Sequence, residues 1–397
     1  MSHNRRDQAC PQSLANPILK HCVLRWFTVI FFGWIVPLPS LHAQTAPVLL
    51  GFTGTLTGVE ADYGQGLLHG ARLALARAKA QEGQALELLV LDDEGDSVRA
   101  ADNGNQLLQR GALALTGVHG ANRTLAVAKS LVLQGGQTAQ AALVAPATSA
   151  DTMRDPPLPG VFHLRAGAIE EASAAVLHLD TLGISRYALV AQDDALGDSV
   201  HERMVSELIR IAMRPVASER VAAAATDDDV SRTMSKLCAA RPEAVILALD
   251  PARAMAAIAF GRERRCAGHY VVFSETGAAF AARKIRGVSG HVLVTQVVPH
   301  PAARMHPLVA EYQQALLKFD KPEASSYPSL EGYFAMSVIV KALQSCRRDN
   351  QRVCVLQALR TKTFEVSGLR VHFGSAQRQA RPFVEVTLLD AEGRFRR

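Results

Sequence analysis

The sequence has no cysteines at C-x-x-C spacing, which excludes the common zinc-finger and thioredoxin-like redox arrangements. It has no G-x-S-x-G elbow and no glycine-rich phosphate loop ending in lysine, so the marks of an α/β-hydrolase nucleophile and of a triphosphatase are missing. Lysine and arginine form neither a long run nor an aromatic-interleaved patch, which leaves a nucleic-acid partner nothing electrostatic to hold. The formal charge of +6 does not alter this reading. Residues 1–43 hold four positive side chains (Arg5, Arg6, Lys20, Arg25) against one acid, Asp7, so half of the excess resides there. Long apolar runs are scarce as well: Trp26–Val36 has eleven residues, short of the roughly twenty that a membrane-spanning helix needs.

What is present begins with an address. Basic residues up to Arg25, the apolar stretch, helix-breaking Pro37 and Pro39, and then Leu41-His42-Ala43 follow the order of a secretory signal peptide cleaved near Ala43. An uncleaved N-terminal anchor is the alternative. Cys22 precedes the apolar core instead of marking a cleavage site, which argues against a lipoprotein. The mature chain is therefore expected to be exported, without a membrane span. At 397 residues, 48% hydrophobic and 20% charged, the chain is long enough for two domain-sized cores.

Four cysteines remain beyond the signal, and an oxidising compartment favours pairing them. Cys238 and Cys266 each close a helical pattern just before a strand pattern, so consecutive parallel strands would bring them to one sheet edge. Cys346 and Cys354 flank a polar turn, 347–352, between two helices. Those two pairings are expected, with buried free thiols the alternative for the first.

From Val48 onward, short apolar runs alternate with longer amphipathic ones, the pattern of a parallel sheet covered by helices. Strand patterns at 48–52, 86–91, 112–116 and 142–145 make one block, and those at 187–191, 217–221, 244–249 and 270–273 make a second. A Pro-rich stretch, 155–160, and an extended segment, 161–165, join them as a crossover. Two long helical patterns follow Pro299 and Pro301, and runs 369–373 and 383–389 read as a terminal hairpin. The fold class is α/β, with two doubly wound lobes. Such sheets bind ligands beyond the carboxyl ends of their strands, which places the site in the cleft between the lobes.

Several near-motifs fail on geometry. In Gly64-Gln65-Gly66-Leu67-Leu68-His69-Gly70 the third glycine comes one residue late for a dinucleotide loop, and Val205 stands where a His201-Glu202 zinc helix needs its second histidine. The acidic run Asp92-Asp93-Glu94-Gly95-Asp96 lacks the glycine position and distal glutamate of a calcium loop, and reads as a strand end with Asp96 capping the next helix. Neither a metal nor a cofactor is expected, and the chain does not read as an enzyme.

The segment Gly51-Phe52-Thr53-Gly54-Thr55-Leu56-Thr57-Gly58, with Asp62-Tyr63-Gly64 and Gly70-Ala71, resembles the opening of type I periplasmic binding proteins of the leucine/isoleucine/valine class. The likeness continues in order through Leu91-Asp92-Asp93, Ala145-Pro146-Ala147-Thr148-Ser149-Ala150, Val161-Phe162-His163-Leu164-Arg165-Ala166, Gln192-Asp193-Asp194-Ala195-Leu196-Gly197, Val297-Val298-Pro299 and Ser329-Leu330-Glu331-Gly332-Tyr333. The resemblance implies two Rossmann-like lobes joined by three hinge crossovers, near 163–165, 295–298 and 364–368. Lobe 1 would comprise 46–164 with 297–364, and lobe 2 would comprise 165–296 with 365–397. It further implies capture of an amino acid or similar small carboxylate for an ABC permease of the inner membrane; a sensor subunit for a signalling receptor and an exported hydrolase are the alternatives.

Carried over residue by residue, Tyr63 would pack on the ligand. Thr148, beside Ala147, would hold a head group, and Glu275 would pair with an ammonium. Ala121, in the loop from Gly120 through Asn122 and Arg123, stands where the family has a carboxylate-binding serine. Ala168 and Asp250 fall where it has tyrosines. Two missing aromatic walls should enlarge or polarise the pocket, which disfavours a branched-chain ligand. Arg165 reads as a hinge ion pair rather than a ligand contact.

Overall fold

A computed structural model of the chain describes residues 47–82, 85–132, 139–277, 291–320, 325–346, 349, 351–373, 383–390 and 395–396. The expected signal peptide, residues 1–43, lies outside them, as do residues 347, 348 and 350 of the polar turn. No helix among the described residues is long and apolar enough to cross a membrane.

The apolar runs of the first block become parallel strands because helices cover both of their faces. Strands β1 (Val48–Gly54), β2 (Leu86–Asp92), β3 (Ala114–Thr116), β4 (Ala142–Val144) and β5 (Val161–Phe162) form one sheet in the order β2-β1-β3-β4-β5. Its connecting helices are α1 (Ala61–Glu82), α2 (Ser97–Gln109) and α3 (Ala121–Leu131). Asp96 caps α2 as expected, its carboxylate accepting the Arg99 N–H at 2.7 Å.

After β5 the chain enters a second sheet. Here α4 (Ala168–Thr181), α5 (Ala195–Arg210), α6 (Asp227–Ala239) and α7 (Pro251–Glu263) alternate with β6 (Tyr187–Gln192), β7 (Ala217–Val221), β8 (Ala244–Ala248), β9 (His269–Val272) and β10 (His291–Gln296). The chain then returns to the first lobe through α8 (Pro307–Phe319), α9 (Tyr327–Gln344) and α10 (Arg352–Thr361), with α9 lying along α1. That crossing is unusually close. A Cβ on Gly70 would stand 1.8 Å from the Ser329 carbonyl oxygen, and one on Gly332 would stand 2.1 Å from that of Leu67. Backbone meets backbone there, and no side chain can yield. Gly332→Val is expected to cost about 3 kcal/mol or more by forcing α1 and α9 apart, and a thermal melt within a degree of wild type would refute this.

The C-terminus departs from the sequence expectation. Runs 369–373 and 383–389 do not form a hairpin with each other. Instead β11 (Thr363–Val366) and β12 (Leu369–His372) pair across Ser367-Gly368, whose φ values of 51° and 74° are those of a two-residue hairpin turn. The local turn supplies β12 with a partner before any distant strand does. β13 (Glu385–Leu389) joins the second sheet antiparallel to β10, with β14 (Phe395–Arg396) outside it, giving the order β14-β13-β10-β9-β8-β6-β7.

Both expected disulfides are present, Cys238–Cys266 with Cα atoms 4.9 Å apart and Cys346–Cys354 at 5.9 Å. The first ties the end of α6 to the loop before β9, as the sheet-edge argument requires. Reduction should raise the intact mass by about 4 Da, two hydrogens per bridge. An unchanged mass would contradict both pairings.

Candidate functional site

Both sheets reverse strand order beside a central strand: β1 lies between β2 and β3, and β6 lies between β7 and β8. Loops diverge at such points, and the hollow they leave opens at the carboxyl ends of the strands. A cavity of about 340 Å³ lies between these ends, with His119 to Arg123 after β3 on one wall and Gln192, Asp194, Asp250 and Glu275 on the other.

The nominated residues divide into two groups. Gly120, Ala121, Asn122, Asp250 and Glu275 line this cavity, and Tyr63 lines a smaller hollow that also touches Glu275. Ala147, Thr148 and Ala168 are fully buried and do not line the cavity. Thr148 instead meets Glu275 directly, its hydroxyl donating to Oε1 at 2.8 Å, while the backbone N–H of Ser149 donates to the same oxygen. The acid after β9 of one lobe is thus seated on donors that follow β4 of the other. Burial pushes the Glu275 carboxyl up to about 7; Arg165 and the two donors pull it down without cancelling that effect.

Beneath the cavity runs a buried polar network centred on Arg165. Its guanidinium reaches Glu331 at 3.3 Å, Tyr63 Oη at 3.3 Å and Glu171 at 3.9 Å, and it donates to Ser274 Oγ. Burial opposes its charge, yet Glu331, Tyr63, Glu171 and Glu275 together hold it above the usual arginine range. Tyr63 Oη donates to Glu331 at 2.7 Å, and burial with that neighbouring carboxylate keeps the phenol protonated. Glu171, 0% exposed, accepts from the Ser274 N–H at 3.0 Å, from Ser274 Oγ at 2.8 Å, and from the hydroxyls of Ser149 and Thr295. Arg154 braces the same region by donating to the carbonyls of Thr148, Arg165 and Ala166.

The sequence assigns no site role to Glu171, Ser149, Ser274, Thr295, Glu331 or Arg154. The pair Glu170-Glu171 opens a helix, where an exposed acid and a buried one look alike. His119 also gains a role. Its ring stacks on Tyr63 with centroids 4.2 Å apart, and its Nε2 lies 3.3 Å from the Glu275 carbonyl oxygen. Burial, with Arg123 and Arg165 nearby, holds the imidazole well below its usual range and therefore neutral. The acids of the 92–96 run are largely spent on loop structure, with Asp92 bonding Leu56 and Thr57 and Asp93 bonding Thr55 and Gly95.

Two α/β lobes with a polar cleft between their switch points define a type I periplasmic binding protein fold. The chain belongs to the periplasmic binding protein family, whose model matches residues 47–391. Both family and fold are those of ligand-binding proteins. No curated protein matches the chain in sequence. Solved structures that resemble it include an extracellular ligand-binding receptor from Verminephrobacter eiseniae ef01-2, at 22% identity over 89% of this chain and 100% of that one, with a TM-score of 0.75. A possible leucine/isoleucine/valine-binding protein from Rhodopirellula baltica SH 1 is 24% identical over 89% and 97%, with a TM-score of 0.76. An ABC transporter substrate-binding protein from Desulfitobacterium hafniense, in complex with Leu, is 17% identical over 88% and 99%, with a TM-score of 0.66. At such identities these likenesses establish the fold.

Proposed function

We propose that the chain is a periplasmic receptor that closes its two lobes on a small amine-bearing carboxylate and delivers it to an ABC permease of the inner membrane. The observation that carries this reading is the seat of Glu275 on Thr148 and Ser149. An acid that crosses from one lobe to the other answers both to a ligand ammonium and to the donors opposite it, so occupancy and closure become one equilibrium. The head-group carboxylate would meet the start of α3, where the N-cap is Gly120 and no side chain occupies the first N–H groups. Asp250 in place of an aromatic wall favours a polar ligand over a branched-chain one.

A ligand that binds only the native state must raise the unfolding midpoint. Screening amino acids, amines and organic acids by thermal unfolding is therefore expected to find stabilising compounds that carry an amine. If no member of the panel moves the midpoint, the receptor reading fails.

A further inference from the structure

The cavity wall carries more negative charge than the protein itself balances. Its charged lining consists of Glu60, Asp194, Asp250 and Glu275 against Arg123 and Arg253. Both arginines are committed. Arg123 pairs with Glu60 and also donates to the carbonyls of His119 at 2.5 Å and Gly95 at 3.0 Å. Arg253 pairs with Asp250, whose carboxylate also caps α7 by accepting the Arg253 N–H at 3.0 Å.

Glu275 is held by Thr148 and Ser149, but Asp194 meets no cation among the described residues. Its Oδ1 accepts the Gly197 N–H at 2.8 Å as the cap of α5, and its Oδ2 accepts the Gln192 amide at 2.7 Å. The Leu196 N–H also bonds it, yet an ionised carboxylate offers about four acceptor sites, so it can still accept a further donor. Burial, reinforced by Asp250, raises its pKa, the response of an acid without a counter-charge. Gln192 links the two acids, its Oε1 accepting the Asp250 N–H at 3.3 Å, so they form one continuous patch on the second lobe. Across the cavity His119 is 2% exposed, and its Nδ1 makes no hydrogen bond, lying 3.5 Å from Glu60. A buried polar atom left without a bond on a cavity wall points to a partner that arrives with the ligand.

Resting on the receptor reading above, we propose that the ligand is dibasic: a second positive charge, remote from its head-group ammonium, is received by Asp194 beside Asp250. An amino acid with a cationic side chain fits this arrangement, its head group between the start of α3 and Glu275 and its distal cation on the Asp194 patch. The cavity of about 340 Å³ has room for such a side chain.

Isothermal titration with isosteric pairs tests the charge alone, using arginine against citrulline and ornithine against norleucine, with leucine and glutamate alongside. Asp194→Asn is the informative variant, because asparagine caps α5 as well as aspartate does and the fold should survive. Wild type is expected to bind arginine or ornithine at least about tenfold more tightly than its neutral isostere, and Asp194→Asn is expected to remove that preference. Citrulline, norleucine, leucine or glutamate binding as tightly as the dibasic compounds would overturn the charge proposal and leave the receptor reading standing. Equal losses for both members of a pair in Asp194→Asn would also overturn it. Binding by none of the six would overturn both.

Discussion

Replacing Arg165 by methionine should lower the stability of the protein by about 3–5 kcal/mol, the cost of leaving a buried carboxylate without its partner. Methionine keeps much of the volume, so the loss reports charge rather than a cavity. The Glu331 and Glu171 side chains are 8% and 0% exposed, and Arg165 is the cation that faces both. Tyr63 and Ser274 would also lose their bonds to it. Lysine should recover only part of the loss, since a single ammonium cannot fork between Glu331 and Ser274. Adding Glu331→Gln to Arg165→Met should recover part of the loss, Glu171 still lacking its cation, although Glu331→Gln alone should lower stability; such a sign reversal in a double-mutant cycle identifies a charge pair. Denaturant unfolding measures all four proteins. A loss below about 1 kcal/mol for Arg165→Met would show that the network is not balanced by this arginine.

The second large effect concerns Glu275 and pH. Burial pushes its carboxyl up to about 7, above the ordinary 4.5. The sign follows directly: the folded form holds this proton more tightly than the unfolded chain, so the group's stabilising contribution is full below pH 4.5 and fades as pH rises through 7. Ligand binding has the opposite dependence. An ammonium favours the ionised carboxylate and expels the proton, so affinity for an amine-bearing ligand should fall up to about tenfold per pH unit below 7 and level off above it. Calorimetry in two buffers of different ionisation enthalpy should detect that proton. Glu275→Gln should flatten the profile and weaken binding by about 100-fold. An affinity constant between about pH 5.5 and 8 would contradict the role given to this residue.

Much of the architecture was legible because the two lobes are built from local patterns. Apolar runs such as Val48–Phe52 and Ala244–Leu249 need both faces covered, and the helical stretches between them supply the cover. The cysteine pairs followed from the same order of elements. The terminal hairpin was misread because Ser367-Gly368 turns the chain within two residues, while the run at 383–389 finds its partner in β10, about ninety residues earlier in sequence.

At the site, the loops that approach the cleft were legible as strand ends, and Gly120, Asn122, Asp250 and Glu275 do meet at one cavity. Arg165 was legible as a hinge ion pair, but the partners it gathers were not. Glu171 lies 103 residues from Ser274 and 124 from Thr295 in sequence, and no spacing rule joins it to them. Nor could sequence show that Thr148 faces a side chain of the opposite lobe.

The central claim, that the lobes close on a bound guest, is most directly tested by a distance between them. Spin labels at Val98 on α2 and Asp228 on α6, both exposed, report that distance by pulsed electron resonance. With the compound that most raises the unfolding midpoint, the distribution is expected to collapse from broad and long to narrow and short. An identical distribution with and without that compound would contradict the account.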